Sequence, residues 1–484
     1  MRDSIWHRQR GINSLVFSSF TFIFWFLPLV LLGYYLARPA FQNYVLLAAS
    51  LLFYSWGEPK FVLVLLASIA GNYGLTLWID ALQRSDRNRH ARLVLTTAVL
   101  FNVVILGYFK YMNFFVDSIN NFFGTEILIK KIALPLGISF YTFHALSYIF
   151  DVYRKKVDVQ RNPVLLALYF VIFPQMIAGP IVRYHLIAHQ LRERQVTLGI
   201  FAEGIKRFII GLAKKVIIAN NLGLVADEIS RLPAADSTVA LTWLGAICYT
   251  LQIYFDFSGY SDMAIGLARM FGFQFPENFN YPYISKSISE FWRRWHMTLG
   301  LWFRDYVYIP LGGNRVSRWK VIRNLSVVWA LTGLWHGAEW TFVLWGVYFG
   351  VIIILEKFVL NQILTKIWTP FQHFYALFLV VIGWVIFRSE SIGDVWNDLY
   401  LMFGAGQVPF FDTKTLYYLV KCWPFALLGI IGCVPVAQYI SKLTRNLKDV
   451  LKGHLVDACY IGLFILSTMF LVDATFNPFI YFRF

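Results

Sequence analysis

Residues Leu93–Phe109 read LVLTTAVLFNVVILGYF, and residues Leu15–Ala37 read LVFSSFTFIFWFLPLVLLGYYLA. Each is an uncharged apolar run close to the ~20 residues with which an α-helix crosses the hydrocarbon of a bilayer. A transmembrane β-barrel would show alternating strands of about ten residues instead. Comparable runs recur near 41–56, 61–79, 133–150, 163–181, 200–219, 239–255, 325–338 merging into 340–358, 370–388, 415–437 and 456–473. Hydrophobic residues make up 58% of the 484 positions and charged residues 14%. The expectation is an all-α polytopic membrane protein of about eleven transmembrane helices. No internal repeat or long polar linker divides it, so residues 15–484 are expected to form a single domain.

The net charge of +16 raises the question of nucleic acid, but the basic residues sit in short gaps between apolar runs and form no soluble basic face. Positive-inside topology accounts for them, with residues 85–92, 154–161, parts of 183–215 and 286–323 expected on the cytoplasmic side. The N-terminus breaks that pattern. Arg2, Arg8 and Arg10 favour the cytoplasm, yet three spans separate them from the basic loop that ends at Arg92. Either one of the three does not cross, or residues 1–14 are a non-native extension and translation starts near Leu15. Cys248, Cys422, Cys433 and Cys459 have no metal-ligand spacing and are expected as buried free thiols.

Three apolar segments are interrupted by helix breakers: Pro174 with Ala178-Gly179-Pro180, Pro135 with Gly137, and Pro310 with Gly312 and Gly313. Broken helices at membrane depth require protein or a watery cavity to satisfy the freed backbone groups. Beside them lie the chemistry-bearing motifs. Phe291–Arg315 reads FWRRWHMTLGLWFRDYVYIPLGGNR, and Leu331–Trp340 reads LTGLWHGAEW. His296 and His336 therefore sit in or next to hydrocarbon-depth sequence, where an ionisable side chain marks a functional site unless it is buried against a partner. An imidazole near neutral pH suits removal of a hydroxyl proton. Trp335, Trp340 and Trp345 are placed to wall His336 with apolar surface, and Gly337 to let a substrate approach the backbone. No carboxylate or Cys pattern near the histidines suggests a metal.

The most polar stretch within an apolar run holds Asp256, Ser258, Tyr260, Ser261 and Asp262. Asp256 and Tyr260 share a helix face, and Asp262 lies further round the cylinder. These carboxylates either orient an imidazole or pair with Arg293, Arg294 or Arg304, or they form a polar lock between helices. The basic residues of 286–323, with Arg293, Arg294 and Arg304 among them, suit the phosphates of a ligand and equally suit plain cytoplasmic topology. No Walker loop or dinucleotide fingerprint accompanies them.

Together with QIYFDFSGYSDMAIG (Gln252–Gly266) and the ending FNPFIYFRF, these motifs resemble the bacterial membrane-bound O-acyltransferase superfamily over Val16–Phe484. The YIPLGGNR continuation is similar to the branch that O-acetylates alginate and peptidoglycan. The resemblance implies broken or re-entrant helices around a central tunnel, with His336 catalytic. It implies that His296, where many eukaryotic relatives carry asparagine, orients or polarises the acyl group. It implies acetyl-CoA as a cytoplasmic donor with no permanently bound cofactor, which makes Trp335, Arg293, Arg294 and Arg304 candidates for substrate or donor binding. It also implies an inner-membrane location and an extracytoplasmic esterase-like (SGNH) acetyltransferase partner that modifies the polysaccharide. Two other functions compete: D-alanyl transfer to teichoic acid, and proton-coupled transport or lipid flipping through embedded histidines.

Overall fold

The computed structural model describes residues 15–405, 408–436 and 449–473; the expected extension over residues 1–14 and the FNPFIYFRF ending lie outside them. Among the described residues the regular elements are helices, with no strand. Seven are long and apolar enough to cross a bilayer: Val62–Arg84, Asn88–Phe123, Leu198–Ser230, Trp340–Leu364, Thr369–Arg388, Thr413–Gly432 and Gly453–Val472. The chain is thus an all-α, multi-pass membrane protein. The expected eleven included segments that fold as shorter pieces: the first apolar run gives only Phe22–Leu36, and the run at 163–181 is broken. Cys248, Cys422 and Cys433 are buried free thiols, whereas Cys459 is exposed.

Packing divides the chain into two compact units, one of residues up to Phe208 with Met263–Pro276, the other of Ile209–Asp262 with Glu277 onwards. In the first unit, helices Val62–Arg84 and Asn88–Leu106 pack side by side. Asn72 Nδ2 donates to Asn102 Oδ1 at 3.1 Å and Asn102 Nδ2 returns the bond at 2.7 Å, a buried amide pair of the kind that joins membrane helices, worth about 0.6 kcal/mol on average. Helix Ile138–Tyr153 is buried along nearly its whole length. It starts after Gly137, whose φ of 71° suits glycine and whose absent Cβ leaves room for the Met176 carbonyl. The Pro174 break is real. Helix Pro163–Val171 stops at Ile172, the freed Phe173 N–H donates to Ser50 Oγ at 3.1 Å, and Gln175 Nε2 donates to the Tyr169 carbonyl at 2.6 Å. Protein groups thereby satisfy backbone that hydrocarbon would leave unpaired.

The second unit carries the polar motifs. The aspartate helix Val239–Met270 runs for 32 residues, well past the 239–255 run that hydropathy marks, and contributes its residues up to Asp262 here. It continues through its carboxylates because lysines neutralise them: Lys215 Nζ lies 2.6 Å from Asp256 Oδ1, and Lys214 Nζ lies 2.7 Å from Asp262 Oδ2. Both lysines open a π-helical turn, Lys214–Ala219, and a Cβ on Gly259 would meet the Gly211 carbonyl at 2.7 Å, so the two backbones are nearly in contact. The histidine helix Arg318–His336 packs on Trp340–Leu355 just as tightly. A Cβ on Gly346 would meet the Trp329 carbonyl at 2.6 Å and Gly333 Cα at 3.2 Å, the close approach that small residues permit between membrane helices.

Candidate active site

His336 is the last residue of the histidine helix, where the chain turns extended at Gly337 before the next helix starts at Trp340. The turn puts its imidazole, 3% exposed, inside an aromatic cage. The ring lies 4.9 Å from that of Trp335, 5.0 Å from Trp345 and 5.3 Å from Phe387, each edge to face. Two sequence expectations change here. Trp340 is 56% exposed, so much of its ring faces outward. Gly337 is glycine because the Phe342 ring occupies the place of a Cβ, which leaves no gap for substrate on that side.

His296 reaches the same place from a different element. It is the N-cap of helix Met297–Phe303, with φ 43° and ψ 52°, a left-handed conformation costly for a residue with a Cβ and met mostly at functional positions. Its ring is 2% exposed as a residue, 4.7 Å from the Phe257 ring and 5.8 Å from the Trp335 ring. The Trp335 indole therefore neighbours both imidazoles, and residues forty apart in sequence meet in one cage.

The strained turn is fixed by Asn278, a residue that sequence reasoning missed. Its backbone carbonyl accepts from the Met297 N–H at 2.9 Å. Its side-chain Oδ1 accepts from the Thr298 N–H at 3.3 Å and the Thr298 hydroxyl at 2.8 Å, and its Nδ2 donates to Ser261 Oγ at 3.1 Å. A backbone N–H only donates, so the amide orientation is set. His296 Nδ1, 3.0 Å from the same Oδ1, must then carry the proton. In the neutral ring this leaves Nε2 with a lone pair, and Nε2 is buried with no hydrogen-bond partner among the described residues. The indole Nε1 of Trp345 is a buried donor in the same situation. A buried polar group without a partner costs about 1–3 kcal/mol, a cost that sites built for a ligand accept.

The charged candidates are engaged in ion pairs or exposed. Asp256 is bound to Lys215 and Asp262 to Lys214, and Tyr260 is buried one turn beyond Asp256 on the same helix. Arg294 Nε donates to Glu290 at 2.9 Å and its Nη1 to the Asn280 carbonyl at 3.1 Å. Burial raises the Glu290 pKa, but the Lys286 N–H and the Arg294 guanidinium outweigh it and hold the carboxyl below its usual range. Arg304 is bound to its neighbour Asp305 at 2.7 Å, and Arg293 is exposed. A lysine pair in the middle of the 200–219 run was the signal for the true partners of the aspartates, and it read as topology.

Residues 83–389 match the family described as MBOAT, membrane-bound O-acyltransferase family, an interval that holds the cage and the aspartate helix. The chain is 47% identical over 397 residues, 81% of its length and 79% of the relative's, to a protein of Azotobacter vinelandii named "Probable alginate O-acetylase AlgI". It is 35% identical over 441 residues, 81% of each chain, to the "Peptidoglycan O-acetyltransferase" of Helicobacter pylori. Similarity to the "Teichoic acid D-alanyltransferase" of Bacillus subtilis is 31% over 260 residues, 51% of this chain and 65% of the relative. A caged imidazole pair inside the matched interval and relatives of this kind lead to one conclusion: the chain belongs to the membrane-bound O-acyltransferase family and is an O-acyltransferase.

Proposed function

We propose that this protein takes an acetyl group from a cytoplasmic thioester, acetyl-CoA, and passes it through the membrane for O-acetylation of an extracytoplasmic polysaccharide. The observation that carries the reading is that His296 and His336 neighbour one indole, that of Trp335, and are both buried among aromatic rings. In the reaction the acceptor hydroxyl oxygen attacks the thioester carbonyl carbon while His336 takes the hydroxyl proton. The tetrahedral intermediate then breaks its C–S bond, and the departing thiolate receives that proton from His336, so the base is restored. His296, held as the Nδ1–H tautomer, offers Nε2 as an acceptor for an N–H of the acyl donor and so orients the thioester. The Trp345 indole N–H supplies a donor for the carbonyl oxygen as it gains charge.

The relatives named for alginate and peptidoglycan O-acetylation match far more of the chain than the D-alanyltransferase does, which favours acetyl as the group transferred. Family membership decides against the transporter reading. The protein works in the inner membrane of a bacterium and hands the acetyl group to an extracytoplasmic esterase-like acetyltransferase, because a chain made of membrane helices has little soluble surface with which to grip a polymer. The test uses the purified protein in lipid nanodiscs with labelled acetyl-CoA, a D-alanyl thioester in parallel, and the candidate partner present or absent. Label moving from acetyl-CoA to the partner is expected. Transfer from the D-alanyl thioester alone would replace the acetyl reading, and polymer acetylation in cells lacking every such partner would remove the relay.

A further inference from the structure

We propose that a basic pocket at the end of helix Val62–Arg84 binds a phosphate ester, and that its occupant is the headgroup of an anionic phospholipid. The pocket has a volume of about 560 Å³ and is lined by Arg84, Arg161 and Arg192, with Asp158, Gln160, Asn162 and Leu165 among its other walls. It belongs wholly to the first unit and shares no residue with the histidine cage.

Its arginines are arranged in advance. One carboxylate oxygen, Asp80 Oδ2, lies 2.9 Å from Arg84 Nε and 3.0 Å from Arg161 Nη2. A single acid thus holds two guanidiniums side by side, and each keeps further N–H donors for a ligand. Arg192 adds a third charge, so three cations meet two carboxylates, Asp80 and Asp158, and a net positive charge remains. The loop beneath is fixed as well. Tyr73 Oη donates to the Arg161 carbonyl at 2.6 Å, Gln160 N–H donates to Tyr148 Oη at 2.8 Å, and Gln160 Nε2 donates to Tyr184 Oη at 3.1 Å. Asn162 Oδ1 caps the following helix by accepting from the Val164 N–H at 2.9 Å. Planar guanidiniums on a rigid frame match phosphate oxygens in pairs.

Size and setting name the occupant. The volume lies in the range of about 300–1,000 Å³ typical of organic ligand sites and exceeds what a bare phosphate fills. Helix Val62–Arg84 is a membrane span whose last residue is one of the three arginines, and Trp78, under two turns earlier, is 56% exposed, as expected of an indole at the headgroup level. Leu165 gives the wall an apolar side. Basic pockets between helices on the positively charged side of a membrane protein take acidic lipid headgroups. The rival source of the same chemistry is a soluble phosphate ester such as the donor nucleotide.

The experiment compares wild type with Arg161→Gln/Arg192→Gln, with Arg192→Gln alone as a variant that leaves the Asp80 pairs intact. Each protein is reconstituted in nanodiscs of mixed phosphatidylglycerol and phosphatidylcholine, and its retained lipid is measured by native mass spectrometry. In a second arm, delipidated protein is titrated with coenzyme A. Wild type is expected to retain phosphatidylglycerol in preference to phosphatidylcholine, with retention falling about fivefold per arginine removed. Unchanged lipid retention with coenzyme A binding lost in the variants would replace the lipid by the soluble ester as occupant. Unchanged behaviour of both ligands in a variant that elutes as a monodisperse folded species would overturn the site altogether.

Discussion

His296 Nδ1 lies 3.0 Å from Asn278 Oδ1, and because Thr298 donates twice to that same oxygen, the imidazole proton is fixed on Nδ1. Asn278 thereby decides what His296 can do: its outer nitrogen accepts a hydrogen bond and does not donate one while the ring is neutral. Asn278→Ala is expected to lower acetyl transfer by roughly 10–100-fold, the scale of losing a group that orients a functional imidazole. Asn278→Asp should act differently. A carboxylate beside Nδ1 stabilises the imidazolium and raises its pKa, and the protonated ring has no lone pair on Nε2. Activity would then be present above the raised pKa and lost as pH falls through it, moving the acid limb of the pH–rate profile upward. An acid limb identical to wild type would show that His296 plays no protonation-dependent part.

Trp345 is expected to contribute its N–H as well as its ring. Trp345→Phe keeps an aromatic wall against His336 and removes the donor, so kcat should fall by about 10²–10³ with little change in KM. A fall in KM-governed binding with kcat preserved would make the indole a packing element alone.

The Lys215–Asp256 pair, 2.6 Å apart with both side chains almost fully buried, holds the aspartate helix against the π-helical turn. Asp256→Ala takes the carboxylate from a buried lysine and should cost about 3–5 kcal/mol, whereas replacing both residues by apolar ones of similar volume should recover most of that loss. Thermal unfolding in detergent reads both variants. Equal destabilisation by the single and double changes would mean that the charges, as charges, matter little there.

Gly346 is needed for the approach of the histidine helix to its neighbour. Gly346→Ala puts a Cβ 2.6 Å from the Trp329 carbonyl and is expected to destabilise by about 1–3 kcal/mol, as overpacking does. Gly453→Ala, where a Cβ meets nothing within 4 Å, should be neutral or stabilising by up to about 1 kcal/mol through helix propensity. The same unfolding assay compares them, and similar effects at both sites would refute the close packing.

The membrane class, the break at Pro174 and the two histidines were legible because each leaves a local mark: an apolar run, a breaker, a titratable group where none belongs. The partner of His296 left no such mark. Asn278 is one amide in the polar run Pro276–Asn280 between helices, and its selection depends on two backbone bonds that no spacing reveals, Met297 N–H to the Asn278 carbonyl and Asn280 N–H to the Arg294 carbonyl. The aspartates were visible but their partners were not, since Lys215 precedes Asp256 by a loop and most of a helix, and a charge pair within the bundle resembles a topology signal until the two are seen to meet. Hydropathy ended the aspartate helix at residue 255 for the same reason, because it scores each charge without its neutralising partner.

In the proposed reaction the imidazole of His336 removes the acceptor proton. The most direct test of that step is labelled acetyl transfer from acetyl-CoA by purified His336→Ala in nanodiscs, beside wild type at matched folded protein. The expected result is a loss of about 10²–10⁴ in rate, with thermal unfolding close to wild type. Transfer within a factor of about two of wild type by a folded variant, an effect far below the loss of a general base, would contradict the account.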